Sequence, residues 1–316
     1  MIHVPLITPF APDGRLDTTA LGRLAHELLD DGATGLVALG TTGEPAALDD
    51  DERAEVAAVV GRACRERGAF FTVGVGAAGT RRAAAELHAL AALPVPPDAA
   101  LVTVPSFVRP GEAGVLAHFR SLAATTSLPL LAYHVPYRTA QPLSAETLLA
   151  LAAIPGVTGM KYAPGALDAD TTALLSALPD IAARKPDAPG VFGQHDPFTV
   201  LAGDDVLAPA LFALGAQGGI LASGHLATRH WVRLAAAPTA PDAGILGHRL
   251  AALATALFSE PNPAVLKAVL HAQHRIPTPD VRLPLLPAAS KNRDAALAAL
   301  ADLDVLPSAP SGVTPA

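Results

Sequence analysis

Lysine is scarce in this chain: of 22 basic residues only four are lysines, Lys161, Lys185, Lys267 and Lys291. There is one cysteine, Cys64, with one tryptophan and three tyrosines in 316 residues. A single cysteine excludes an internal disulfide framework and a thiolate metal cluster. Basic runs are missing and the formal net charge is −7, so the chain lacks the electrostatic footprint of a nucleic-acid or anionic-membrane binder. Charged residues are also few, 16% against 51% hydrophobic, where ordinary domains have roughly 25% and about 45–50%. That balance rules out disorder for most of the chain and predicts a generous apolar core. The first 13 residues lack a basic segment and carry Pro5, Pro9 and Pro12, so no signal peptide is expected and the protein is read as cytoplasmic. The longest uncharged stretch, 206–228, contains Pro209, Gln217, Gly218, Gly219 and His225. It reads as a buried helix, a turn and a strand rather than a membrane span.

What is abundant is alternation. Eight short apolar runs, at 2–8, 36–40, 70–75, 100–104, 130–133, 157–161, 198–202 and 218–221, are separated by amphipathic helical stretches. Leu21, Leu24, Ala25 and Leu28 share one face after Asp17, and Gly32 stops that helix. Asp49 with Glu52 resembles a capping box ahead of Val56, Val59 and Val60. Ser144 precedes Leu148, Leu149 and Leu151, and Asp204 and Asp205 precede Leu207, Leu211 and Leu214. Strands that are apolar on both faces need both faces covered, as in parallel sheets. Eight such units favour a closed (β/α)8 TIM barrel over an open doubly wound sheet, and a barrel needs ~250 residues. The pattern therefore predicts a barrel over residues 1–238 and a C-terminal helical segment over 239–304. The helices of that segment are expected at 245–258, 263–274 and 292–304, with a disordered Pro/Ser/Gly-rich tail at 305–316.

Several motifs have ordinary explanations. Gly74, Gly76 and Gly79 spell a dinucleotide fingerprint, but no acidic residue ends the next strand, so a glycine-rich barrel loop is the better reading. Cys64 sits among Arg62, Arg65 and Arg67, yet at mid-helix, where a partly buried cysteine is the ordinary case. His195, Asp196 and His225 lack partners at ligand spacing, so no metal is expected.

Position gives a stronger signal, because barrel enzymes assemble their chemistry at the C-terminal strand ends. Those ends read Thr8, Thr41 and Thr42, Pro105, Tyr133, Lys161, Gly203 and Ser223. Lys161 closes the run Val157-Thr158-Gly159-Met160, an apolar setting that lowers an amine's pKa and exposes the neutral form that attacks carbonyls. A snorkelling lysine is the competing explanation, and it is weaker in a chain this poor in lysine. Lys185 in a Pro-rich loop, Lys267 on an amphipathic helix and Lys291 near a helix start are read as ordinary. Tyr133, Tyr137 and Tyr162 all cluster near Lys161, and Tyr133 is the best placed to move protons. Arg138 follows in a polar loop, with a planar fork suited to a carboxylate.

At these residues a family resemblance is legible. Gly40-Thr41-Thr42-Gly43-Glu44, Tyr133-His134-Val135-Pro136 with Arg138-Thr139, Gly159-Met160-Lys161, Gly203-Asp204-Asp205 and Glu260-Pro261-Asn262-Pro263 resemble the dihydrodipicolinate synthase and N-acetylneuraminate lyase family. The match runs from Thr8-Pro9-Phe10 to Leu283-Pro284 in the right order. The resemblance implies a class I aldolase that needs no cofactor beyond a covalent lysine imine with its substrate. It also implies a homo-oligomer, commonly a tetramer built as a dimer of dimers. Lys161 would form the imine with pyruvate, Tyr133 would carry protons, and Thr42, hydrogen bonded to Tyr133, would position it. Thr41 and Thr42 would hold the pyruvate carboxylate, with Gly203 and Ile220 also at the substrate, and Arg138 would receive the carboxylate of an acceptor aldehyde. Thr41 with Arg138 favours the synthase branch, using aspartate semialdehyde, over the sialic acid lyases.

Departures accompany the match. Phe107 stands where the family's synthases usually supply a second tyrosine across a dimer interface, so the relay is broken unless Tyr137, Tyr162 or water substitutes. His134, Tyr162, Pro164 and Ala140 also differ from the usual residues, and 182–197 looks like an insertion beside the site. Asp50, Arg53, Ala78 and Ser106 do not match the lysine feedback pocket of some synthases, so no inhibition by lysine is expected. The alternatives are an aldolase or lyase for another 2-keto acid, of sialic acid or keto-deoxy sugar acid type, and a catalytically silent keto-acid-binding barrel.

Overall fold

The computed structural model describes residues 1–184 and 198–305. Lys185, His195, Asp196, the expected insertion from 185 onward and the expected tail beyond 305 lie outside the described residues. Eight parallel strands close into a barrel in sequence order. They are β1 (Ile2–Pro5), β2 (Gly35–Ala38), β3 (Phe70–Val75), β4 (Ala99–Thr103), β5 (Leu130–His134), β6 (Val157–Tyr162), β7 (Thr199–Ala202) and β8 (Gly218–Ile220). Helices run between the strands, and Ala243–Leu257, Ala264–Ala272 and Ser290–Asp304 follow the last barrel helix, Gly224–Ala236.

Strand alternation sorts the apolar residues into two layers. Val37, Leu101, Leu131, Tyr133, Leu201 and Ile220 fill the inside of the barrel. Leu36, Val73, Val102, Ala132, Met160 and Val200 point outward into a much larger layer shared with the helices. Each aliphatic side chain buried this way contributes ~1.5–3 kcal/mol, so the layer between strands and helices carries most of the stability.

The helix starts follow from their caps. Asp17 accepts from the Ala20 N–H at 2.8 Å, Asp49 and Glu52 form a full capping box, and Ser144 accepts from Thr147 at 3.3 Å. Asp204 and Asp205 part ways ahead of the helix Ala208–Ala213: the Asp204 carboxylate accepts from the Val206 and Leu207 N–H groups. Asp205 turns instead toward the end of β8, accepting from the Ser223 N–H at 2.7 Å and the Ser223 hydroxyl at 2.6 Å. Gly32, at φ +99°, takes the left-handed conformation just past its helix. The uncharged stretch 206–228 holds that short helix, β8 and the buried start of Gly224–Ala236. Among the described residues no helix is long and apolar enough to cross a membrane.

Gly74 lies inside β3, where an added Cβ would stand 2.3 Å from the Leu39 carbonyl oxygen, and Asp98 accepts from the Phe71 N–H. The glycine therefore serves strand packing and the aspartate a backbone bond. Cys64 is buried, and burial pushes its thiol up to about 12 despite the neighbouring arginines.

Candidate active site

Parallel register brings three inward side chains level at the C-terminal end of the barrel: Thr103 of β4 pairs with Tyr133 of β5, and Tyr133 with Lys161 of β6. Lys161 is buried, with its Nζ 4.5 Å from the centroid of the Tyr133 ring. Burial lowers the amine from its ordinary value to about 8, while the nearby charge of Asp205 opposes that shift. Burial likewise pushes the Tyr133 phenol up to about 12, with Arg138 and a hydrogen bond from the Thr41 side chain acting in the other direction. At neutral pH the phenol holds its proton, and a fraction of the lysine is free amine.

Gly203 sits directly against this lysine. A Cβ there would come within 2.6 Å of Lys161 Cγ and 2.8 Å of its Cε, so the glycine makes the room the lysine occupies. Ile220 is fully buried in the inner barrel layer.

Thr41 and Thr42 lie in one tight turn, Thr41–Gly43, and their side chains diverge. The expected bond between Thr42 and Tyr133 is corrected: Thr41 takes that place, and the Thr42 hydroxyl accepts from Asn262 Nδ2 at 2.9 Å. Successive residues of a 3₁₀ turn project about 120° apart, so only one of the two can face the phenol.

Above these groups opens a cavity of about 590 Å³ whose walls include Gly40, Thr41, Thr103, Tyr133, Arg138 and Asn262. Lys161, Thr42, Gly203 and Ile220 are not on those walls. Arg138, on the short helix Pro136–Thr139, is exposed, and its Nε donates to the Tyr137 hydroxyl at 3.1 Å while its guanidinium stacks 5.1 Å from that ring. The arrangement offers a carbonyl compound a buried amine, a protonated phenol beside it, a hydroxyl-bearing turn and a cation at the mouth.

The remaining departures separate cleanly. His134 and Tyr162 point outward from neighbouring strands and stack on each other, with ring centroids 5.6 Å apart and planes 20° from parallel. The Tyr162 hydroxyl pairs with Thr171 Oγ1 at 3.0 Å, so it cannot stand in as a proton carrier inside the barrel. Ala140 adopts φ +56°, a conformation that suits the glycine usual there. Phe107 is 93% exposed at φ +66°.

His225 is committed to the backbone, with Nε2 accepting from the Ile7 N–H at 3.1 Å and Nδ1 donating to the Ala222 carbonyl at 2.8 Å. Among the described residues no group of three or more His, Cys, Asp or Glu side chains converges as a metal site. Two cavity residues carry little signal in the sequence: Thr103, one residue inside the strand end that the apolar run predicts, and Asn262, which the motif at 260–263 contains without a role. Lys267, expected to be an ordinary lysine, is fully buried and bonded to Glu44 at 2.7 Å. A buried lysine on an amphipathic helix looks like a surface one until its partner, 223 positions away, is known.

Comparison with known proteins points to one family. The model of the dihydrodipicolinate synthetase family matches residues 1–303. A 4-hydroxy-tetrahydrodipicolinate synthase of Moorella thermoacetica is 34% identical over 308 residues, covering 96% of this chain and 98% of the relative. One of Xanthomonas campestris is 36% identical over 303 residues, covering 93% and 91%. The solved structure of the chloride-inhibited dihydrodipicolinate synthase of Acinetobacter baumannii complexed with pyruvate superposes with a TM-score of 0.83 at 32% identity, covering 96% of this chain and 98% of that one.

Proposed function

Because the chain belongs to the dihydrodipicolinate synthetase family, and is accordingly a class I aldolase/lyase-type enzyme, we propose that it condenses pyruvate with aspartate semialdehyde through an imine on Lys161. The observation that carries this reading is the buried Lys161 amine set against the Tyr133 phenol at the C-terminal end of a parallel barrel.

The neutral amine adds to the ketone carbon of pyruvate, and water leaves as the iminium forms. Loss of a methyl proton gives an enamine, whose terminal carbon attacks the acceptor aldehyde and forms the new carbon–carbon bond. Tyr133, held protonated by burial, gives and takes protons at the carbinolamine and at the acceptor oxygen. Thr41, on the cavity wall, and the backbone of its turn receive the pyruvate carboxylate, and Arg138 at the mouth receives the carboxylate of the acceptor through its guanidinium edge. No cofactor is required by these steps. A homo-oligomer is part of the same reading: Phe107, an exposed aromatic residue held at positive φ, is a side chain that a second copy would cover.

The test is a condensation assay with pyruvate and a panel of acceptors, aspartate semialdehyde first. Turnover with aspartate semialdehyde well above that with neutral or polyhydroxylated aldehydes is expected. Preference for a polyhydroxylated aldehyde, or turnover that survives Lys161→Ala, would overturn the assignment.

A further inference from the structure

Lys267 is the best-buried cation among the described residues that the reaction does not use. It lies on the helix Ala264–Ala272 with its Nζ 2.7 Å from Glu44 Oε1 and 4.1 Å from the centroid of the Phe10 ring, and neither ionic side chain is more than 1% exposed. Burying two charges costs several kcal/mol per ion, and a well-packed apolar pair would stabilise as well or better. Such a pair needs a reason in what it fixes.

Glu44 directly follows the Thr41–Gly43 turn at φ +53°, a left-handed conformation strained for a glutamate, and its N–H donates to the Thr41 carbonyl at 3.3 Å. Its second carboxylate oxygen accepts from the Arg282 N–H at 2.9 Å. One residue earlier, the Gly43 carbonyl accepts from the Thr8 hydroxyl at 2.7 Å. One earlier still, Thr42 Oγ1 accepts from Asn262 Nδ2 at 2.9 Å. The turn is thus gripped at three successive residues, and two of the grips come from the C-terminal helical segment. Thr41 keeps its side chain for Tyr133, and it lines the cavity together with Glu44 and Asn262.

We propose that Asn262 and Lys267 are positioning residues which, through Thr42 and Glu44, hold the Thr41–Thr42 turn in the geometry that receives the keto-acid carboxylate. The C-terminal helical segment is then a working part of the substrate site, although Lys267 never reaches the cavity. This inference rests on the reading of Lys161 and the turn given above. It makes a distinctive demand: weakening either grip must raise the pyruvate requirement more than it lowers the maximal rate. A merely structural staple would lower the melting temperature and leave the pyruvate requirement alone.

The experiment follows borohydride trapping of pyruvate as a function of pyruvate concentration, with melting temperatures in parallel. Asn262→Ala is expected to raise half-saturating pyruvate about tenfold, equivalent to ~1.4 kcal/mol. Its maximal trapping rate should stay within about threefold of wild type and its Tm within about 3 °C. Lys267→Leu strands a buried carboxylate and should also lower Tm. The double variant Glu44→Gln with Lys267→Leu should recover part of that Tm and still require more pyruvate. Wild-type trapping with unchanged half-saturation in both Asn262→Ala and the double variant overturns this inference alone. Absence of trapping in the wild type overturns it together with the proposed function.

Discussion

The amine at the end of β6 is set by two opposing influences. Burial disfavours the ammonium and brings Lys161 down to about 8, while Asp205, buried behind it and bonded to Ser223, favours the charged form. Imine formation needs the neutral amine, whose fraction rises as pH rises through the pKa. The expected rate of pyruvate trapping therefore climbs about tenfold per pH unit below about 8 and levels off above it. Asp205→Asn removes the charge that holds the pKa up, so its profile should shift to lower pH. Single-turnover trapping between pH 6 and 9.5 measures both curves, and a rate that is flat below pH 8 contradicts the account. The sequence already pointed to Lys161 and Tyr133, because each ends an apolar run in a chain with few lysines and tyrosines. It did not reveal which of two adjacent threonines meets the phenol, since that depends on the sense of a three-residue turn. Nor did it reveal that Lys267 is internal, because its partner arrives from the other end of the chain.

At the scale of the strand and the turn, alternation decides what each departure from the family pattern means. Tyr133 and Lys161 face inward, so the residues after them, His134 and Tyr162, must face the helices, and they stack there on each other. Two substitutions that look in sequence like a redesigned pocket are thus one packing event outside the barrel. Tyr162→Phe keeps the stack and loses the bond to Thr171. It should cost about 1 kcal/mol in a urea titration and leave turnover within about twofold of wild type. A large loss of turnover without loss of stability would place the Tyr162 hydroxyl back in the chemistry. Strand positions were readable to within a few residues from the apolar runs and their flanking glycines. The segment expected at 100–104 is β4 at Ala99–Thr103, a one-residue difference that hid the inward-facing Thr103 from a reading based on strand ends.

The whole molecule is held by two concentric apolar layers with polar clasps where its ends meet. His225 is one clasp: as a neutral ring it accepts the Ile7 N–H and donates to Ala222, and a second proton would cost it the first bond. Burial lowers its pKa from 6.5 to about 3, and that of His134 from 6.5 to about 4. Across that interval the unfolded chain binds more protons than the folded one, so stability falls as pH drops from about 6.5. The urea midpoint should decline steadily between pH 7 and about 4.5, and a midpoint constant over that range would contradict the assigned histidine states. Architecture at this scale was the most legible part, because eight doubly apolar strands leave few alternatives to a closed parallel barrel. How the C-terminal helices reach back to the second strand's loop was not legible, since no local pattern records a contact between Asn262 and Thr42.

The proposed chemistry stands on a pyruvate imine at Lys161. The most direct measurement is the intact mass of the protein after incubation with pyruvate and borohydride, followed by mapping of the modified peptide. The expected result is a gain equal to pyruvate less one water plus two hydrogens, located on Lys161 and lost in Lys161→Ala. An unchanged mass, or an adduct on Lys185, Lys267 or Lys291, would contradict it.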